Sequence, residues 1–416
     1  MDSRERVMLA LEHQEPDRVP IDVGSTDATS MAAVAQVRVI EHLGLPQRKL
    51  RLHDVWQQIA MLEPELQTAF HCDVARVHTL HPLWWLPELR VDRWQDGSLV
   101  DGSPAWVPEA YGPLEEGAFH VLMNAKGETV ARRPRAGLYF DHVGIYHPLA
   151  SATSVGELRE AYRALFPGTC LSSEEREYVR SEAARMRKES SCALMLLFGG
   201  SIYEMGQYTR GYKQWYMDIG QNRTRGMATA LIELLAEDYC TKIREYAAAI
   251  GANIDLIAFV DDLGMQSGPQ IAPATYRNLF KPHHRAMWEE VRRHTDWKVW
   301  LHSCGAVLEY LPDLIDAGLE VLNPVQTSAD GMAPRRLKRE FGSELSFWGA
   351  GVDTQHVLPT ASAEELEKSI RENIEIFAPG GGFVFSTIHD IQANVAPSRI
   401  VSIFESAYRY GTAVYK

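Results

Sequence analysis

The chain has 416 residues, 45% of them hydrophobic and 23% charged, with a formal net charge of −13 at pH 7. That length carries one large α/β domain with elaborations, or two ordinary domains, and the composition is that of a chain that buries a substantial core, not of a disordered one. The acidic balance excludes the basic surface that nucleic-acid phosphates require, since the densest basic cluster, Arg132 to Arg135, is short enough to read as a solvated loop.

The opening residues, MDSRERVMLALEHQEPDRVP, mix both charge signs and hold no apolar run of secretory-signal length, and no later stretch reaches the roughly 20 apolar residues of a membrane span. A cytoplasmic enzyme is the expectation. Five cysteines, Cys72, Cys170, Cys192, Cys240 and Cys304, are odd in number and scattered, which favours reduced thiols over a disulfide framework.

In chain order, an N-terminal segment covering residues 1–70 precedes a first β-rich run, CDVARVHTL from Cys72. The stretch from about Arg90 to Pro134 carries two DGS turns, KGET and several tryptophans without a helical stripe, and reads as a β-hairpin insertion serving as a lid, a dimer contact or a plain surface hairpin. Six further runs follow: CALMLLFGG from Cys192, IDLIAFVDDLG from Ile254, KVWLHSCG from Lys298, EVLNPV from Glu320, LSFWGAG from Leu345 and GGFVFSTIHD from Gly381. They are almost continuously apolar, the pattern of strands covered on both faces of a parallel sheet.

Helical stretches alternate with these runs. In SAEELEKSIRENIEIF, Ser362 and Glu365 are spaced as a capping box, and Leu366, Ile370, Ile374 and Phe377 form one apolar face. In YLPDLIDAG, Pro312 suits a first helical turn and Gly318 the position just past the end. The alternation predicts a (β/α)8 TIM barrel over residues 1–416 as one domain, with an open doubly wound sheet as the other architecture it allows.

In a parallel barrel, reactive groups sit at the C-terminal ends of the strands. Those ends carry Asp261 and Asp262, then His302 and Cys304, then Asn323 and Gln326, then Asp353 and Gln355, and finally His389 and Asp390, with Gln392 just beyond. Residues two apart on an extended segment share a face, so the His302 imidazole and Cys304 thiol point together. Such donors suit zinc, and a catalytic zinc needs three protein ligands and one open position. His389 is the natural third. Asp262, Asp261 and Glu204 are candidate catalytic carboxylates or a fourth ligand, although Asp261 also fits a cap and Glu204 the first turn of a helix. Asn323, Gln326, Asp353 and Gln392 are the candidate substrate-binding groups. His283 and His284 read as ordinary residues of a helix.

RERVMLALEHQEPDRVP, VWLHSCGAVLEYLPDLIDAGLEVLNPVQ, FWGAGVDTQHVLP and GGFVFSTIHDIQANVAPSRI together resemble the uroporphyrinogen decarboxylase superfamily, most specifically from about Leu256 to Ile400. The resemblance implies a barrel with its site at the C-terminal mouth, a homodimer, and one of two branches. True decarboxylases grip a polycarboxylate through an arginine-bearing N-terminal loop; the corresponding loop here, Asp22 to Ala33, has no arginine. The other branch comprises zinc methyltransferases working with a corrinoid on a partner protein. They carry a His-x-Cys pair, matched by His302 and Cys304, plus a distant cysteine, where this chain has His389. Decarboxylases resemble the chain in carrying a histidine there too. The expected function is therefore zinc-dependent methyl transfer between a corrinoid protein and a small acceptor such as a thiol, or demethylation of a small donor. The alternatives are a metal-free carboxy-lyase and a non-catalytic binder of a tetrapyrrole or corrinoid protein.

Overall fold

A computed structural model describes residues 1–83, 85–143, 147–167 and 170–416. Seven strands, β1 (Val74–Val77), β2 (Ala193–Gly199), β3 (Leu256–Val260), β4 (Lys298–His302), β5 (Val321–Asn323), β6 (Ser346–Ala350) and β7 (Phe383–Ser386), form one curled, all-parallel sheet in the order β7-β6-β5-β4-β3-β2-β1. Each coincides with one of the apolar runs.

The two-residue period of the strands divides each run between two cores. Val74, Met195, Leu256, Ala258, Trp300, Val321, Trp348 and Val384 pack together inside the curl. Their neighbours, among them Leu194, Ile257, Phe259, Val299, Leu301, Leu322, Phe347 and Phe385, pack outward against the helices. Burial on both faces is why the runs show no polar alternation.

The two edges of the sheet share one N-terminal segment. Ile21 forms a parallel bridge to Phe385, with Asp22 N donating to Phe385 O at 2.8 Å, while Asp73 N, at the start of β1, donates to Ile21 O at 2.7 Å. Neither edge is left with a free row of backbone groups there. Just beyond, the fully buried Asp22 carboxylate accepts from Ser25 Oγ at 2.6 Å and from Trp348 Nε1 at 2.9 Å. The α/β architecture is thus TIM-like.

The helix signals act as their chemistry dictates. The Ser362 side chain accepts from Glu365 N while Glu365 caps Ser362 N, and Leu366, Ile370, Ile374 and Phe377 are buried on the helix Ala363–Phe377. Gly318 closes the helix Leu311–Ala317 in the left-handed region at φ 111°. Outside the curled sheet, Trp94–Ser98 and Pro104–Pro108 form an antiparallel pair that extends strand Leu50–Asp54, and Leu114–Glu116, Phe119–Met123, Thr129–Pro134 and Asp141–His142 make a second antiparallel sheet. Among the described residues no helix is long and apolar enough to cross a membrane.

Candidate metal centre

His302 ends β4, and Cys304 follows on a loop whose path is fixed by backbone contacts. Ser303 N donates to Asn323 O at 2.7 Å, Cys304 N to Asp262 Oδ1 at 2.7 Å, and Gly305 N to Gln326 Oε1 at 2.8 Å. Gly305 has φ 86°, and a Cβ there would lie 2.5 Å from the Gly264 carbonyl carbon; a Cβ on Gly264 would lie 2.6 Å from Cys304 O. Only glycine at both positions allows this approach. As a result Cys304 Sγ stands 3.2 Å from His302 Nε2, and ligand atoms of His302, Cys304 and His389 all lie within 4.8 Å of one another.

The hydrogen bonds behind the two rings set their tautomers. Asn323 donates through Nδ2 to Trp348 O at 3.1 Å, so its Oδ1, 2.8 Å from His302 Nδ1, must accept. His302 therefore carries its proton on Nδ1 and presents a bare Nε2. His389 donates from Nδ1 to Asp390 Oδ1 in a short contact, which leaves Nε2 bare as well, and Asp390 is held in turn by Gln392 Nε2 at 2.8 Å. An oriented imidazole backed by an amide or a carboxylate is the outer arrangement of metal-ligating histidines. For a tetrahedral ion with bonds of about 2.3 Å to sulfur and 2.0 Å to nitrogen, the S···N separation is about 3.5 Å. The donor set thus fits a zinc ion with small adjustments of the side chains.

Electrostatics point the same way. Burial, reinforced by Asp262 and Glu204, pushes the Cys304 thiol well above its ordinary value, so a thiolate there requires a nearby cation. Burial lowers His302, keeping it neutral. Burial also opposes a charge on His389, but the Asp390 carboxylate, together with Asp262 and Asp27, outweighs it and the net shift is upward. Glu204, half-buried beside Asp262 and Asp261, is raised well above the carboxylate range, by burial first and then by those two charges.

The other sequence candidates divide. Asp262 is at the site: its Oδ1 holds the Cys304 amide and lies 3.7 Å from His302 Nε2. Gln326 and Gln392 line the adjoining cavity. Asp261, Asn323 and Asp353 are each engaged by the protein itself, and Asp261 takes the cap reading that its sequence position also allowed. Asp261 is 1% exposed and its oxygens accept from Ser201 Oγ, Tyr203 N and Glu204 N, capping the helix Glu204–Arg210, so it is not presented to a ligand. Asn323 is fully buried and holds His302, leaving it no access to substrate. Asp353 accepts from Gln355 N and His356 N and pairs with His356 Nδ1, which closes its own loop. His284, read as ordinary, is buried and bridges Tyr276 OH to Asp261 Oδ2 at 3.0 and 3.1 Å.

A cavity of about 580 Å³ opens onto Cys304 and His389, and its walls include Trp56, Gln57, Tyr139, Phe140 and Asp141. The sequence reading missed these five, because they come from segments outside the strand–helix rhythm. The Trp94–His142 region reaches the mouth through Tyr139, whose hydroxyl accepts from Ala393 N at 3.0 Å. Among the described residues of the cavity wall there is no lysine or arginine. The N-terminal loop lacks its own arginine, yet β1 sends Arg76 to Asp27 of that loop at 2.5 Å, beside His53. This guanidinium is committed to an internal ion pair.

Against known proteins, the model of the family Uroporphyrinogen decarboxylase (URO-D) matches residues 178–410, more than half of the sequence. The chain belongs to the URO-D family. A methyltransferase from Methanosarcina mazei is similar in structure over 99% of both chains, with a TM-score of 0.58 at 14% identity, which establishes a shared fold. A B12-independent methionine synthase from Shewanella sp. matches over 84% of each chain at a TM-score of 0.38 and 13% identity. No curated protein matches the sequence.

Proposed function

We propose that this protein is a zinc-dependent methyltransferase in which His302, Cys304 and His389 hold the ion and a small acceptor, a thiol, takes the open position. The observation that carries this reading is the convergence of one sulfur and two bare imidazole nitrogens within 4.8 Å, each ring oriented from behind. When bound, zinc supplies the charge that makes a thiol anionic at neutral pH, and a thiolate is the competent nucleophile. Asp262, with Oδ1 on the Cys304 amide, offers its second oxygen to the acceptor's proton. Gln326 pins the loop behind the sulfur, and Tyr139, Phe140 and Asp141, just beyond the insertion, line the cavity.

The methyl group in this reading comes from a corrinoid protein or from a small methyl donor, and the enzyme works as a homodimer. The alternative, a metal-free lyase acting on a carboxylate-bearing substrate, is best served by cationic donors around that carboxylate, and the cavity wall offers no lysine or arginine among the described residues. The test is the metal content of the protein as purified, beside that of Cys304→Ala, together with a thiol-methylation assay. About one zinc per chain, falling sharply in the variant, is expected; absence of metal from both proteins overturns the proposal.

A further inference from the structure

The cavity in front of the metal centre offers a ligand fixed hydrogen-bond acceptors. Two glutamines on its wall are turned by carboxylates, which accept and do not donate. Gln57 donates through Nε2 to Asp54 Oδ2 at 3.0 Å, and Gln392 through Nε2 to Asp390 Oδ2 at 2.8 Å. Their amide nitrogens are thereby spent on the protein, and the carbonyl oxygens of these two half-buried side chains are the ends left to a ligand. Gln326 has both ends engaged, by Gly305 N and by Gln266 Oε1. Asp141 adds an exposed carboxylate to the same wall.

The donors that face these oxygens are the neutral hydroxyls of Tyr139 and Thr354 and the amide of Gln355, while His389 spends its Nδ1 proton on Asp390. No lysine or arginine is among the described lining residues. An acidic tail on a ligand would therefore meet carbonyl and carboxylate oxygens with no side-chain cation to balance it. A hydroxyl would answer one oxygen and leave the charge of Asp141 unopposed. An ammonium brings three N–H donors and a positive charge together. The metal does not repel it. A zinc ion with the Cys304 thiolate keeps a charge of about +1, and the acceptor's own thiolate cancels that remainder.

We infer that the thiol acceptor is an aminothiol of cysteamine size, its sulfur directed to the metal centre and its ammonium received by the oxygens of this wall. The thiol rests on the methyltransferase reading above; the preference for an ammonium rests on the wall alone. In the transfer the thiol gives its proton to Asp262 and its sulfur bonds to the methyl carbon. The methyl donor's own bond to that carbon breaks, and the electron pair stays on the donor. The ammonium holds the acceptor in place and takes no other part, and no oxidant or reductant enters.

The experiment is calorimetric titration of the full-length, zinc-loaded protein with 2-(methylthio)ethylamine, 2-(methylthio)ethanol and 3-(methylthio)propionate. These are the products of methylating an amino-, a hydroxy- and a carboxy-thiol, and their sulfur has no proton to lose, so differences in thiol acidity do not enter. At pH 8 Asp54, raised to about 7 by burial first and then by Asp27, is ionised and holds the Gln57 amide through its nitrogen. The amine is expected to bind at least about tenfold more tightly than the alcohol, with the propionate weakest. Gln57→Leu and Asp141→Asn should each weaken the amine severalfold and the alcohol much less. Chelation of zinc by the amine would survive both substitutions, so the variants separate it from recognition by the wall. Equal or tighter binding of the alcohol or the propionate, no binding of the amine, or an amine preference retained in full by both variants overturns the inference. Binding is read without turnover, so an amine preference in a protein that methylates no thiol sinks the proposed function and leaves the ammonium site standing. Methylation of 2-mercaptoethanol as readily as of cysteamine, without an amine preference in binding, does the reverse.

Discussion

Asn323 Oδ1 lies 2.8 Å from His302 Nδ1, and the same amide is locked by Trp348 O, so a residue two strands from the thiol decides which nitrogen of the imidazole is bare. Asn323→Leu removes the acceptor and leaves a buried N–H unpaired. Zinc affinity should fall about 10- to 100-fold, as for other partners that orient a ligand. Asn323→Asp, which keeps an acceptor oxygen, should lose less. Competition with a chromophoric chelator measures both.

Burial lowers the His389 pKa, and Asp390, with smaller help from Asp262 and Asp27, turns the net shift upward. In the metal-free protein, Asp390→Asn should bring the His389 pKa down from its raised value, because the stabilising negative charge is gone while the burial remains. Titration of the ring protons by NMR reads the shift, and a pKa unchanged or higher in the variant contradicts the assignment.

The Asp261 carboxylate accepts from three backbone amides, a serine hydroxyl and His284. Asp261→Ala would leave several buried donors unsatisfied, at a cost of about 3 kcal/mol or more. Urea unfolding should show this loss. Zinc stoichiometry should survive in the folded fraction, which separates a capping role from a ligating one.

Burial raises Asp22 to about 6 despite its hydrogen bonds from Ser25 and Trp348. An acid whose folded pKa exceeds its unfolded value gives stability that is present below the unfolded pKa, near 3.8, and is lost as pH rises through about 6. A shift of about two units corresponds to about 3 kcal/mol. The stability advantage of wild type over Asp22→Asn should therefore shrink by up to about that amount between pH 4 and pH 7, as measured by urea titration at each pH.

Sequence period located the seven sheet strands because burial on both faces leaves a local signature, continuous from Cys192 onward. Capping at Ser362 and the helix end at Gly318 were legible for the same reason: each is settled by a few adjacent residues. The pairing of His302 with Cys304 needed only strand geometry. The cap role of Asp261 was one of its two readings, but those of Asn323 and Asp353 were not legible, since a polar residue at a strand end has the same local appearance whether it faces a ligand or a neighbouring loop. Nor could the cavity wall be read, because Trp56 and Tyr139 reach it through tertiary folding of segments with no period of their own.

The contact between Gly264 and Gly305 makes the sulfur's address a matter of main chain alone. A side chain at either position would wedge two loops apart and carry Cys304 with them, leaving His302, Cys304 and His389 chemically intact but no longer convergent. Tuning of the proposed metal site by protein engineering is therefore better sought in the amide and carboxylate behind the rings, where atoms can be exchanged without moving the backbone.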